Sequence, residues 1–472
     1  MLTSEPSLEN VAEWMSEKGI RTVRTMITDL HGQPLGKYLS VAKFLSGLPK
    51  AHAFSDLALA GDLGGTPHLT FWHSFRTPML GDIAAKVDLS TCVVDPVDPE
   101  TAHVIGQFAQ MDGSPIDLCP RTQLSRLCET LAAHGIGVRS SMELEFFLFD
   151  QPYDAIRAEG YSTLSPCTLT SLQSIYTLRD AYRAHPFMQR VTRQIEALGI
   201  EWEAWSDENG NGQIELNLAP LAPLAMADAV MRTRQVIFEV AQSMGLAASF
   251  MPQIKPGHAN GMHIHHSLHD VNRERETGVF EPLLFDASDS HHLSALAMRW
   301  IAGLHHHLPA SVSLLCPSIN SFRRLRDFSA APTRQGWGLD HKSAPLRVLS
   351  PSPGTTRIEH RVGSSDLNPY LAMSAIIASG LCGLDADLEL PPPMQHTGWG
   401  QAPGASDLPS DMVLASQALA KDQTLQQYLG KENAEYWLKT RRHEWLSFQE
   451  QASEPSSGAP TLWEFERGFA KL

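Results

Sequence analysis

Residues 141–149, SMELEFFLF, place Glu143, Glu145, Phe147 and Phe149 at every second position, with Met142, Leu144, Phe146 and Leu148 between them. In a strand the two sets point to opposite faces, so one face carries acid and the other is wholly apolar. A carboxylate pair is expensive to bury without compensation. A cation lies between the two acids, or the polar face looks into a wet cleft, or the strand is an edge with one solvated face.

The rest of the chain is patterned around this strand. Residues 7–19 combine a Ser7 cap, Leu8, Val11 and Met15 at helical spacing, and a terminal Gly19, which predicts a short amphipathic helix. Residues 21–40 alternate apolar and polar, break from Asp29 to Gly36 and resume, as a hairpin does. Short strands with Pro and Gly breaks (GGTPH, DPVDPE) continue to about residue 105, which predicts a small first domain with a boundary between Gln107 and Pro120. Helices and strands then alternate. A helix over 120–135, with Leu124, Leu127, Leu131 and Ala132 on one stripe and Gly135 as its stop, leads into the acidic strand. A polar, loop-like stretch (151–175), a helix near 178–198, the segment DENGNGQIELNL and a long apolar helix near 222–244 follow. The loop MPQIKPGHANG then enters the strand MHIHHSLHD, and a helix over about 291–308 precedes NSFRRLRDFSAAP. LRVLSPSP and TRIEHRVG read as two strands, followed by a helix from Pro369 to Leu384. The last 75 residues are expected to be helical, broken at QAPGASDLP and SEPSSGAP, and no internal repeat is present.

Composition narrows the class. At 472 residues, 43% hydrophobic and 19% charged, the chain is long enough for two or more domains with a large core. A net charge of -15 with no offsetting basic stripe argues against a nucleic-acid or anionic-membrane partner, and Arg323, Arg324 and Arg326 are too short a run to change that. Cys92, Cys119, Cys128, Cys167, Cys316 and Cys382 are dispersed, with no CxxC and no signal peptide ahead of them, so reduced thiols in a cytoplasm are expected. The longest apolar stretch, near Leu371 to Leu384, is shorter than the roughly 20 residues that span a bilayer.

Several strand-like segments share ionisable or polar residues at i and i+2: Glu143 with Glu145, Glu215 with Asn217, His263 with His265, and Arg357 with Glu359 and Arg361. Lining one cleft, they would gather carboxylates, imidazole and guanidiniums. Ligands of mostly carboxylate oxygen suit a hard cation such as Mg²⁺ or Mn²⁺ better than Zn²⁺, and arginines fork phosphates or carboxylates. Gly210 and Gly212 lack the Lys-Ser/Thr of a phosphate loop and are read as a tight turn bringing Glu208 and Glu215 together. His305, His306 and His307 face different directions on a helix and are read as packed or solvated. Trp337 beside Gly338 is open to adenine stacking or to core packing.

MELEFFLFD, ENGNGQIELN, the loop into GMHIHHSL, NSFRRL, WGLDHKSAPLRV and RIEHRVGSSDLNPYLA, in that order over roughly residues 110–385, resemble the ordered motifs of the glutamine synthetase family, and WEFERGF also fits. The resemblance implies an α+β fold: a small N-terminal β-grasp domain, residues 1–106, and a catalytic domain, residues 112–472, whose antiparallel strands form a half-barrel packed by helices. It assigns Glu145, Glu208 and Glu215 to one divalent cation, and Glu143, His263 and Glu359 to the other. It places His265 on ATP phosphates, Arg347 and Arg357 on the transferring phosphoryl group, and Arg324 and Arg361 on the carboxylates of glutamate and its γ-glutamyl phosphate. A dodecamer of two stacked hexameric rings is also implied, each site shared between one subunit's catalytic domain and its neighbour's N-terminal domain.

Departures from the family's pattern concern the nucleophile. Ammonia-using members carry a flap Glu before Ala-Pro that helps hold and deprotonate ammonium, where this chain reads DFSAAP with Ala330. The N-terminal Asp of the ammonium pocket corresponds to Ser55 in AFSDLALAG, with Asp56 beside it. Lys342 stands where Arg is usual, keeping charge but losing the bidentate fork, and His341 and His258 stand where Asn is usual. No tyrosine in an adenylylation-like context occurs near residues 385–405. The expected activity is ATP-dependent ligation of glutamate to an amine other than ammonia, resembling the γ-glutamyl polyamine and monoamine ligases and serving amine catabolism. A monoamine is preferred because no dense acidic cluster offers to hold a second ammonium. An ammonia-using glutamine synthetase is the alternative, and a catalytically silent structural or regulatory member the second.

Overall fold

A computed structural model describes residues 6–48, 51–68, 70–76, 79–169, 175–399, 406–456 and 458–471. Its first sheet is built from β1 (Thr22–Thr28), β2 (Pro34–Leu35), β3 (Tyr38–Ser40), β4 (His52–Ser55), β5 (Asp82–Val94) and β6 (Thr101–Ala109). The order is β2-β1-β6-β5-β4, with β3 also on β1. β1 and β6 run parallel while the other pairs are antiparallel. The expected hairpin is present, with Pro34 and Leu35 pairing inside its break. β5 and β6 are longer than the short strands expected, and β6 runs past residue 106 to Ala109.

The second sheet contains β7 (Ile136–Phe149), β8 (Trp202–Asp207), β9 (Gln213–Leu218) and β10 (Ala247–Ser249). A short two-stranded excursion, β11 (Gln253–Lys255) with β12 (His258–Ala259), lies inside the expected Pro/Gly/His loop. β13 (Met262–Asp270), β14 (Trp337–Leu339), β15 (Leu346–Leu349) and β16 (Arg357–His360) complete the sheet in the order β14-β15-β16-β13-β7-β9-β8, with β10 on β7. Only β14 and β15 are parallel among these pairs. The architecture is α+β: an N-terminal β-domain followed by a catalytic domain whose antiparallel sheet curls into a half-barrel backed by helices.

The alternation of β7 is used on both faces. Met142, Leu144, Phe146 and Leu148 enter the main core, among helices Pro120–Ala133, Leu178–Ala197, Pro223–Ser243 and Pro369–Asp385. On the other face Phe147 and Phe149 join a second apolar cluster with Phe465 and Phe469, which leaves Glu143 and Glu145 as the polar end of that face.

Some helix expectations are corrected. The first helix begins at Val11, not at a Ser7 cap, and Leu8 is exposed, because the Ser7 carbonyl closes a turn onto Asn10 and Val11. The polar 151–175 stretch contains a helix, Tyr153–Ala158, behind Pro152, while its residues 170–174 lie outside the described residues. The helix expected to end at 308 runs from Ala295 to Leu315 through Pro309. Residues 310–315 are all buried, so packing outweighs the roughly 3 kcal/mol a helical proline costs. Helix Val271–Thr277 and strands β8 and β14 were not anticipated. Of the two C-terminal breaks, residues 401–405 and 457 lie outside the described residues. No helix of the described residues is long and apolar enough to cross a membrane, and the cysteines are free thiols.

One buried charge ties the first sheet to the rest. Arg121, at the start of helix Pro120–Ala133, donates to both carboxylate oxygens of Asp228 at 3.0 and 2.9 Å, to Asp88 on β5 at 2.8 Å and to Gln107 on β6 at 3.1 Å. Tyr370 also donates to Asp228, at 2.6 Å. Removing one partner strands the others. Arg121→Ala should therefore destabilise the protein by about 3–5 kcal/mol in denaturant unfolding.

Candidate active site

Pairing registers place the chemistry-bearing side chains on one face. Directly opposed are His263 and Glu143, His265 and Glu359, Glu143 and Asn217, Glu145 and Glu215, and Arg347 and Glu359. Opposed residues share a face, so β15, β16, β13, β7 and β9 aim Arg347, Glu359, His263, Glu143, Glu145 and Glu215 into one cleft, while His265 and Asn217 are not among the residues that line it. Glu208 reaches it from the β8–β9 turn, where Gly212 at φ 73 lets the chain reverse. The Gly210-Gly212 reading is thus a turn, as expected.

The cleft has a volume of about 640 Å³ and is lined by Glu143, Glu145, Glu208, Glu215, His263 and Glu359, with Arg324, Arg347, Arg361, Lys342 and Ala330 along other parts of its wall. His263 Nδ1 lies 2.7 Å from Glu143 Oε2, and His265 Nε2 lies 2.8 Å from Glu143 Oε1. Glu359, 1% exposed, receives Arg347 Nη1 at 2.8 Å and a close contact from Arg361 Nη1. Arg347 is held in turn by Asp340, 3.0 Å from its Nε. Glu145 Oε2 accepts from Gly261 N at 2.6 Å and from Gln213 Nε2 at 3.2 Å. Arg324 donates to Val362 O at 2.9 Å and lies so close to Gly261 that a Cβ there would meet its Nη2 at 2.5 Å.

These contacts divide the acids. Burial opposes charge on Glu143 and Glu359, but hydrogen bonds from His263 and His265 to the first, and the charges of His263 and Arg361 beside the second, hold both below the usual range. Burial pushes the Glu208 carboxyl up to about 7, reinforced by Glu145. Burial likewise pushes Glu215 up to about 9, reinforced by Glu143, Glu145 and Glu208. The two raised values record acid that the neighbouring arginines leave uncompensated, and divalent cations fit such a donor set.

Ligand atoms of Glu143, Glu215 and His263 lie within 4.8 Å of one another, as do those of Glu143, His265 and Glu359. The acids and imidazoles come together as expected, though this grouping differs from the assignment the motifs implied. Bound there, divalent cations would neutralise charge on phosphate oxygens. A third group, Asp62, His68 and His443, lies elsewhere, and there Arg467 already approaches Asp62 at 3.0 Å.

Other expected residues fall outside this cleft. Arg357 donates to Thr355 O at 3.1 Å and is not among the lining residues. Ser55 sits on β4, exposed, its Oγ accepting from Leu57 N at 3.3 Å. His258 stands on β12, its ring 6.4 Å from that of Phe147, and His341 Nε2 lies 3.0 Å from His396 O. Trp337 is core, 2% exposed, donating to Pro391 O at 2.7 Å. His307 is packed against Asp422 at 2.6 Å.

Sequence reasoning missed the supports. Gln213, which also reaches Asn260 Oδ1 at 2.9 Å, stands two residues before Glu215 on β9 and extends its i, i+2 pattern by one step, a signal that was passed over, whereas Asp340 has no such spacing. Arg323, next to Arg324, is clamped by Glu464 at 2.6 and 2.8 Å, and Glu464 also receives Asn320 at 2.9 Å. WEFERGF held that signal, since its Glu464 closes a capping box with Thr461 while facing the core.

The family model "Glutamine synthetase, catalytic domain" matches residues 117–457. The chain belongs to the glutamine synthetase family. It is 29% identical to the glutamate–methylamine ligase of Methyloversatilis universalis over 461 residues, covering 94% of this chain and 96% of that protein. It is 28% identical to the glutamine synthetase of Methanocaldococcus jannaschii over 473 residues, covering 96% and 98%. A solved structure of apo GmaS without ligand superposes with a TM-score of 0.82 at 25% identity, covering 96% of this chain and 98% of that one. As a member of this family the protein is an ATP-dependent glutamate ligase, and the family's use of ATP and divalent metal accords with the Glu/His clusters in the cleft.

The raised acids make the cleft pH-sensitive. Both carboxyls lie above the ordinary 4.5, so without cation the stability they contribute is present below about 4.5 and is lost as pH rises through about 7 and about 9. Mn²⁺ binding should displace their protons, and calorimetry in two buffers near about pH 7.5 should register that release, with affinity rising at higher pH. Glu215→Gln mimics the protonated acid, so it should leave cation-free stability within about 0.5 kcal/mol while weakening Mn²⁺ binding at least about tenfold.

Proposed function

We propose that this protein joins the γ-carboxylate of glutamate to a primary amine other than ammonia, by way of γ-glutamyl phosphate. Relatives of both kinds resemble the chain equally, so the choice rests on the nucleophile pocket. The observation that carries it is the flap: Ala330, exposed on the cleft wall, offers no carboxylate to an ammonium ion. Asp327 on the same segment is engaged by Arg334 and Thr333. Asp56, beside Ser55, is 1% exposed and accepts from Gly81 N at 3.2 Å, so it is a poor substitute for an acid at Ser55.

In this reading Glu145, Glu208 and Glu215 hold one divalent cation, and Glu143, His263 and Glu359 another. Arg347 and Lys342, both on the cleft wall, neutralise the transferring phosphoryl group, Arg357 joins them by turning away from Thr355 O, and His265 reaches ATP phosphate. Arg324 and Arg361 fix the glutamate carboxylates. Phosphorylation converts a poor electrophile into an acyl phosphate, whose catalysis is mainly positioning and charge stabilisation. The amine nitrogen then attacks the carbonyl carbon, inorganic phosphate leaves, and the ammonium proton passes to solvent or base. Ser55 belongs to the nucleophile pocket of a neighbouring subunit, which requires the dodecamer of stacked rings. The role is cytoplasmic amine catabolism.

Losing charged partners around a buried cation costs several kcal/mol, whereas an apolar substituent gains about 25 cal/mol per Å² buried. Phosphate release from ATP and glutamate should therefore show a higher kcat/KM with ethylamine or aniline than with ammonia or putrescine. Ala330→Glu should shift preference towards ammonia. A kcat/KM for ammonia at or above every other amine would establish an ordinary glutamine synthetase, and no turnover with any nucleophile a silent member.

A further inference from the structure

The flap carries a side chain that the chemistry above leaves unused. Phe328 is 79% exposed, lines the cleft with Ser329 and Ala330, and holds φ at 64°. A bulky residue in the left-handed region is an outlier, and such conformations persist where the surroundings over-determine them. Here they do. Ser329 Oγ lies 2.6 Å from the carbonyl oxygens of both Arg324 and Arg326, Trp399 Nε1 donates to Ala331 O at 2.8 Å, and Thr333 Oγ1, which donates to Asp327, lies 3.2 Å from Gly398 O.

The Phe328 and Trp399 rings lie 5.8 Å apart at 50°, within the range of an aromatic pair. Trp399 is itself anchored, because Gly398 N donates to Ser343 Oγ at 2.8 Å and His341 Nε2 approaches His396 O at 3.0 Å. A phenyl ring is thus backed by an indole and fixed on the wall that also carries Lys342 and Ala330. Water-exposed aromatic surface held in a strained backbone has apolar area to bury, and among the described residues Trp399 covers it from one side.

We propose that Phe328, backed by Trp399, forms the wall against which the amine's substituent packs, and that it selects alkyl and aryl primary amines. This rests on the amine-ligase reading and supplies its substrate class. The ring gains with each methylene it covers and gains nothing from ammonia. Ala330 leaves the space, and Phe328 supplies the surface.

The test compares ammonia, methylamine, ethylamine, butylamine, aniline and putrescine in the wild type and in the Phe328→Ala, Phe328→Gly and Phe328→Tyr variants. In the wild type kcat/KM should rise about fourfold per methylene from methylamine to butylamine. Phe328→Ala should flatten that slope, lowering butylamine and aniline by at least about tenfold more than ammonia, through KM rather than kcat and with KM for ATP within about twofold. Phe328→Gly, whose backbone bears no strain, should match it, and Phe328→Tyr should keep the slope. Equal losses for every nucleophile would overturn the proposal, leaving Phe328 a shaper of the flap, and so would putrescine suffering as much as butylamine. A wild type that prefers ammonia overturns instead the reading on which the proposal rests.

Discussion

Five glutamates, Glu143, Glu145, Glu208, Glu215 and Glu359, crowd one cleft along an antiparallel sheet, and their mutual repulsion is the constraint the surrounding structure answers. Two of them, Glu143 and Glu359, are kept ionised by imidazoles and guanidiniums one strand away. Glu208 and Glu215 find no such relief, and burial among the other acids pushes their carboxyls up to about 7 and about 9. A sheet suits this task because neighbouring strands deliver side chains at fixed spacing with rigid backbones. The apolar reverse of β7 fixes the register, since a one-residue slip would bury the acids and expose Met142, Leu144, Phe146 and Leu148.

Much of this was legible because two-residue periodicity survives in sequence. Glu143 with Glu145, and His263 with His265, announced strands with a polar face, and β7 and β13 are those strands. Their being adjacent was not legible from pattern, since β13 follows β7 by more than a hundred residues and only the ordered family motifs implied one cleft. The misses have physical causes. β8 is an edge strand with partly exposed residues, so its alternation is weak. The helix expected to end near 308 runs on through Pro309 because core packing, which local pattern does not show, overrides the proline's cost. Gln213 was passed over because an amide was not counted among the chemistry-bearing residues, although it sits two residues before Glu215, and Asp340 supports Arg347 from a turn that no spacing encodes.

The two walls of the cleft are built on different principles. The sheet wall is rigid and its residues are locked by charge-assisted hydrogen bonds. Another part of the wall is a loop with left-handed backbone at Phe328 and Ala330, held by side chains from elsewhere. Under the proposed function, phosphoryl chemistry belongs on the first wall, and the choice of nucleophile can vary on the second without disturbing the acids.

Arg323 and Arg324 are neighbours in one short helix, yet the first is gripped by Glu464 from the far end of the chain. The same segment, Leu462–Gly468, also packs Phe465 beside Phe147 and Phe149, at the apolar end of the face of β7 that carries the acids. One short helix thus braces both the arginine helix and the acidic strand. The cations and anions of the cleft share a single support, so a shift of that helix would be felt by both charges at once.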